Sequence, residues 1–172
     1  EANFGVIDAE GGVAYFEVNN YNWIKRDVND PAIAPNGYIV YTNFSYTGRD
    51  DEGHGYIRHD NAEFAIQNGL KNGDVFTPRW IFNNLSRSYY NSLLGADLYR
   101  SNMTKESNGW FIDQDFIPRG STAAAVVFQG VKPGEEADNT IMWCALGYPP
   151  ISLAIPMFVK YPDTLPDIMI KQ

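Results

Sequence analysis

The chain has 172 residues, 44% hydrophobic and 20% charged, with a formal net charge of −8. Such a length can bury a real core and suits one domain, and the apolar share excludes a disordered polymer. The acidic balance and the lack of any basic run of five or more set aside nucleic acid and anionic membrane surfaces as partners.

No apolar run reaches the roughly 18–20 residues that span a bilayer. The start, from Glu1 to Gly5, carries no basic or apolar leader pattern. A single cysteine, Cys144, rules out an intrachain disulfide, and the compartment stays open.

In chain order, Phe4–Asp8 and Val13–Val18 read as a hairpin turned by Ala9 to Gly12. Tyr21–Val28 continues as a third strand, with Tyr21, Trp23 and Lys25 on one face. Asn29 to Pro31 and Pro35 to Gly37 punctuate the connection. Tyr38–Thr42 then reads as a fourth strand of the meander, running into Asn43.

Arg49–Gly55 is polar and glycine-rich, hence a loop. Asp60 is the expected N-cap of a helix, with Glu63 three residues on completing a capping box. Asn68-Gly69 or Asn72-Gly73 ends it. Thr77-Pro78 is a cap followed by proline at the first helical position. From there Trp80, Ile81, Leu85, Ser88, Tyr89 and Leu93 form a stripe at steps of three and four, closed by Gly95.

Asn102–Gly109 is polar and reads as a loop, with Trp110 to Ile112 returning to the core. Thr122–Gln129 is a continuous apolar run between glycines, the pattern of a buried strand. Lys132–Asn139 is a hairpin loop into a strand over Thr140–Leu146. Tyr148 to Pro150 turns the chain into Ile151–Val159, and the residues around Pro162 and Pro166 form a surface tail. Strands, then two helices, then strands without βαβ alternation indicate a single α+β domain with antiparallel sheets.

Asp50, Asp51, Glu52, His54, His59 and Asp60 invite a metal reading. Their spacing matches neither a calcium loop nor a zinc helix, and a solvated acidic loop with capping duty explains them better. No nucleophile elbow and no phosphate-binding glycine loop is present, and no cofactor is expected. Cys144 lies inside an apolar strand, where a thiol is structural and unreactive. Asn43, at a strand end, can aim its amide N–H at an oxyanion. Arg119, just before a strand, can grip a carboxylate or a developing negative charge. A turn-forming Asx residue and a surface ion pair are the alternative accounts. High aromatic content, 15%, favours filled sheets and can also line a pocket for an apolar acyl group.

These segments resemble a known group. Asn3–Glu17 is similar to the first strand pair of N-terminal-nucleophile hydrolases of the acyl-CoA:6-aminopenicillanic acid acyltransferase and choloylglycine hydrolase type. Tyr41–Phe44 looks like their Thr-Asn motif, and Ile117–Thr122 like their arginine-bearing segment. Met142-Trp143, Gly147 and Pro149 resemble the closing hairpin of the acyltransferase-like branch.

The resemblance implies an αββα sandwich of antiparallel sheets with flanking helices. It also implies cleavage of linear amides in small N-acylated amines or amino acids by an N-terminal cysteine whose α-amino group is the base. Asn43 would match the oxyanion-stabilising asparagine and Arg119 the active-site arginine. The nucleophile would belong to a second chain or to an N-terminal segment preceding Glu1. The alternative expectation is a noncatalytic α+β domain that binds a ligand or another protein.

Overall fold

A computed structural model describes residues 2–18, 21–43, 55–102, 106 and 110–160. The protein is α+β, with three small antiparallel sheets and a few helices. The chain divides into two compact units. One comprises residues 1–39, 128–143 and 156–172, and the other residues 40–127 and 144–155. No helix among the described residues is long and apolar enough to cross a membrane.

The first unit is built on a meander of β1 (Ala2–Ile7), β2 (Val13–Val18) and β3 (Trp23–Asp27), paired antiparallel in that order. The β1–β2 turn forms because Asp8 bends the chain onto itself. Its carboxylate accepts from the N–H groups of Glu10 at 2.9 Å and Gly12 at 2.7 Å, an Asx turn. Gly11 adopts φ +89° there, against Pro133. The register sets Tyr15 opposite Arg26 and Phe16 opposite Lys25. Glu17 is buried, with Arg26 Nε 3.6 Å from its carboxylate. An apolar groove of about 660 Å³ lies along this sheet, lined by Val6, Ile7, Val13, Val28 and Phe128 among others.

The expected fourth strand, Tyr38–Thr42, is not one. The segment forms no strand, with a single bridge at Asn43. Strand propensity becomes a strand only where a partner ladder is offered, and the described meander ends at β3.

In the second unit α1 (Tyr56–Asn72) starts four residues before the expected cap. Gly55 takes that place in a left-handed conformation, φ +85°, without a side-chain cap, and Asp60 lies inside the helix. The far end agrees with the sequence: Gly73 (φ 72°) closes the helix, and the N–H groups of Gly73 and Asp74 return to the carbonyls of Leu70 and Gly69. Thr77 caps α2 (Pro78–Ile81) by accepting from the Trp80 N–H at 3.1 Å. Trp80 in turn donates from Nε1 to Asp74 at 2.8 Å and packs against Gly69, where a Cβ would meet its ring at 2.6 Å.

The second helix does not run on to Leu93. It widens into a π-helical turn over Phe82–Ser86, closed by the Arg87 N–H on the Phe82 carbonyl at 2.9 Å. Two asparagines and a serine weaken the α-helix here. Asn84 also turns its amide back onto the Trp80 carbonyl at 2.9 Å. The buried residue is Phe82, while Leu93, on the expected stripe, is 76% exposed. A short hairpin follows, β4 (Tyr90–Asn91) with β5 (Ala96–Asp97), then α3 (Leu98–Asn102). Tyr90 stacks on Phe64 of α1 with ring centroids 4.2 Å apart. The aromatic return to the core also differs from expectation. Trp110 is 84% exposed, and Phe116 fills the core in its place. Phe116 meets Tyr89 and Phe111 edge-on.

The remaining sheet has the order β6 (Ala124–Gln129), β7 (Ile141–Leu146), β8 (Ala154–Phe158). Its central strand holds the buried pair Cys144 and Ala145. β6 is not buried throughout but alternates exposed and half-buried positions up to Val127, as an outer strand of the sheet does. Pro156 is accommodated because β8 is the opposite outer strand. The expected loop over 102–109 and the tail beyond 160 lie largely outside the described residues.

Candidate functional site

Asn43 directly follows the 38–42 segment and is exposed. Two hydrogen bonds stitch this end to the start of α1. The Thr42 hydroxyl donates to the Gly55 carbonyl at 3.1 Å. The Arg58 guanidinium donates from Nη2 to Asn43 Oδ1. Arg58 reaches Asn43 by folding back over Gly55, where any Cβ would collide with the guanidinium. Glycine is therefore required at 55 twice over, for its positive φ and for that space. The bond to Oδ1 decides the orientation of the Asn43 amide. Its Nδ2 protons have no acceptor among the described residues and are left to donate.

Arg119 stands between buried Pro118 and Gly120 in the turn before β6. Its N–H donates to Thr122 Oγ1 at 3.0 Å, and the Thr122 N–H donates to its carbonyl at 2.8 Å. The Gly120 N–H donates to the Asp113 carboxylate, which closes the loop. This loop is fastened to α1 by Asn61, whose Nδ2 donates to the Asp115 carbonyl at 3.0 Å. Arg119 Nε is fully buried and has no acceptor among the described residues. Such an orphaned donor costs about 1–3 kcal/mol, and more when the group is charged.

Arg58 thus holds Asn43 by a hydrogen bond, and Arg119 lies in a different segment of the same unit, the turn before β6. Burial holds the Arg58 guanidinium below the ordinary arginine value, the Arg119 charge lowers it further, and Asp115 acts in the opposite sense. No acidic side chain stands in the first turn of α1, where the helix dipole is itself positive. An electropositive spot on an acidic chain can hold a carboxylate or an oxyanion. It holds no nucleophile among the described residues: the Thr42 hydroxyl is engaged by Gly55, and Cys144 is 7% exposed inside β7. The sequence offered no local signature for Arg58, since its role depends on where α1 begins.

The acidic cluster fares differently. Asp50, Asp51, Glu52 and His54 lie outside the described residues. His59 Nδ1 is 3.3 Å from the Asp60 carboxylate, and no metal-binding group of three is present among the described residues.

A pocket of about 390 Å³ opens in the same unit, lined by Tyr89, Asp97, Tyr99, Phe111 and Tyr148 among others. The hydroxyls of Tyr89 and Tyr148 are hydrogen-bonded. Burial, and then that bond, push the Tyr89 phenol well above the usual tyrosine range. Arg87 borders the pocket with its charge directed to backbone carbonyls of the 149–152 turn. Phe111 and Arg119 belong to one continuous segment, so the pocket wall and the arginine turn are linked along the chain. Comparison with protein-family models, with curated proteins and with solved structures found no match.

Proposed function

We propose that this chain is the oxyanion- and substrate-holding part of an enzyme that cleaves, or transfers the acyl group of, linear amides in small N-acylated amines or amino acids. The observation that carries the reading is the bond from Arg58 to Asn43 Oδ1, which leaves the Asn43 amide N–H free to donate. An oxyanion hole needs a donor oriented in advance in this way. In this reading Arg119, in the turn before β6, supplies a guanidinium for a developing negative charge, and the aromatic pocket at Tyr89 and Phe111 suits an apolar acyl group.

The nucleophile in this proposal is an N-terminal cysteine on a second chain or a preceding segment, and its α-amino group takes the thiol proton. The finer architecture proposed is an αββα sandwich. Exposed apolar side chains on one face of the meander, Phe4, Val6 and Trp23, support it, because such a surface calls for a covering layer.

The test starts with intact mass under denaturing and then native conditions, to find a polypeptide beginning with cysteine. Amine release from a panel of N-acyl substrates follows. Asn43→Ala should lower kcat by about 10²–10³-fold in that complex. No release with an intact N-terminal cysteine present overturns the proposal. The second reading, a noncatalytic binding domain, is favoured by the lack of a nucleophile beside Asn43 among the described residues. It predicts that N-acyl ligands still bind after Asn43→Ala and Arg119→Ala.

A further inference from the structure

We infer that β1 is an open docking edge at which two copies of this chain pair, antiparallel about Gly5, into one continuous sheet. The inference concerns the meander alone and does not rest on the amide-cleavage proposal.

The ladder between β1 and β2 decides which way the β1 backbone points. The Asp8 N–H donates to the Gly12 carbonyl at 2.9 Å, and bonded pairs recur at every second position of an antiparallel ladder. In a register that sets Phe4 opposite Phe16 and Val6 opposite Ala14, Phe4 and Val6 therefore bond to β2. Asn3, Gly5 and Ile7 turn their backbone N–H and C=O groups the other way. β1 has no neighbouring strand on that side, and these backbone groups have no partner among the described residues. The run from Asn3 to Ile7 is exposed without a break.

Such an edge recruits another strand unless charge, proline or a bulge blunts it. The opposite edge, β3, is blunted by Lys25, Arg26 and Asp27, with Lys25 and Asp27 ion-paired at 2.8 Å. β1 holds neither a charge nor a proline.

A second copy is the strand that fits. Turning β1 about Gly5 maps Asn3 onto Ile7, so each outward N–H meets a carbonyl of the copy across a twofold axis. The same register sets Phe4 opposite Val6 of the copy, and Val6 opposite its Phe4. These side chains are left 54% and 48% exposed, and an aromatic facing a β-branched residue is a favourable cross-strand pair. Asp8 falls opposite Ala2 of the copy, so acid does not face acid along the edge.

Sedimentation of the full chain over a dilution series should show the mass double from one chain to two. Each copy carries a net charge of −8, so association should strengthen as salt screens the repulsion. Gly5→Pro removes an outward donor that β2 does not use, at a position where an edge strand tolerates proline, and Val6→Lys places a charge in the apolar pair. Both should leave the chain monomeric, and Ile24→Lys on β3 should not. In the wild type, the amides of Asn3, Gly5 and Ile7 should exchange at least about tenfold more slowly in the dimer than after dilution. Those of Phe4 and Val6 should be protected in both states.

A wild type that stays monomeric up to about 0.1 mM, where a micromolar association is nearly complete, overturns the inference whether or not a variant folds. So does a dimer that survives both β1 substitutions, or one in which the outward amides still exchange fast. A native complex holding one copy of this chain with a different polypeptide protecting those amides overturns it as well.

Discussion

Asn61 bonds to Asp115 through side chain and backbone, its Nδ2 donating to the Asp115 carbonyl at 3.0 Å, while its Oδ1 accepts from the Ser92 N–H at 2.6 Å. One buried amide, 4% exposed, thereby ties α1 to the loop that carries Arg119 and to the β4–β5 hairpin. A buried asparagine with both ends satisfied contributes stability and fixes geometry together. Asn61→Ala removes two hydrogen bonds to part-buried backbone groups, at about 0.5–1.5 kcal/mol each. Urea unfolding should show the loss. Unchanged stability would contradict the arrangement.

Arg87 makes a different kind of tie. Its Nε donates to the Pro149 carbonyl at 3.0 Å, Nη2 to the Ser152 carbonyl at 2.8 Å, and Nη1 to Asn83 Oδ1 at 3.1 Å. The planar fork suits carbonyls that diverge in this way, and a lysine ammonium cannot span them. Arg87→Lys should therefore cost about 2–4 kcal/mol despite keeping the charge, from bonds worth roughly 1.5–3 kcal/mol each. A thermal melt of Arg87→Lys beside Arg87→Ala checks this. Rescue by lysine would show that charge, not geometry, holds the turn.

The features legible in the sequence were those whose physics is local. Thr77-Pro78 caps a helix through an atom three residues away, Gly73 stops one through its own φ, and the hairpin over 3–18 pairs neighbours. The features that were not legible depend on partners remote in sequence. Helical spacing placed Leu93 on the core stripe, but the π turn rotates the chain so that Phe82 is buried instead. Asp60 and Glu63 match a capping box, yet the positive φ of Gly55 starts the helix a turn sooner. Asn43 and Arg119 stand out by residue type, but nothing short-range marks Arg58, the residue that orients the Asn43 amide.

The phenol of Tyr89 makes a prediction about alkaline stability. Its pKa in the folded protein lies above the ordinary value of 10.0, chiefly through burial and then through Tyr148. Between the two values the unfolded chain releases a proton that the folded one keeps, so stability falls as pH rises. The contribution is whole below the ordinary value and is lost above it. Unfolding in urea at pH 9 and pH 11 should show a steeper loss for wild type than for Tyr89→Phe. Absorbance titration should also reveal a late phenol, in company with Tyr15, which burial shifts in the same direction. Identical pH slopes in wild type and Tyr89→Phe would refute the shift.

Cys144, the sole thiol, gives the most direct separation of scaffold from chemistry. It lies in the central strand of its sheet, beside fully buried Ala145. Reaction with a thiol reagent must therefore wait for opening of that strand, and its rate should follow denaturant in parallel with unfolding. Cys144→Ala removes one small buried group and should cost about 1 kcal/mol or a little more, as other single-atom core truncations do. If the nucleophile comes from another segment, the same substitution leaves amine release by the cysteine-bearing complex intact. Rapid labelling of the native chain, or loss of turnover in a folded Cys144→Ala protein, would instead make this thiol the reactive group and displace Asn43 and Arg58 from the chemistry.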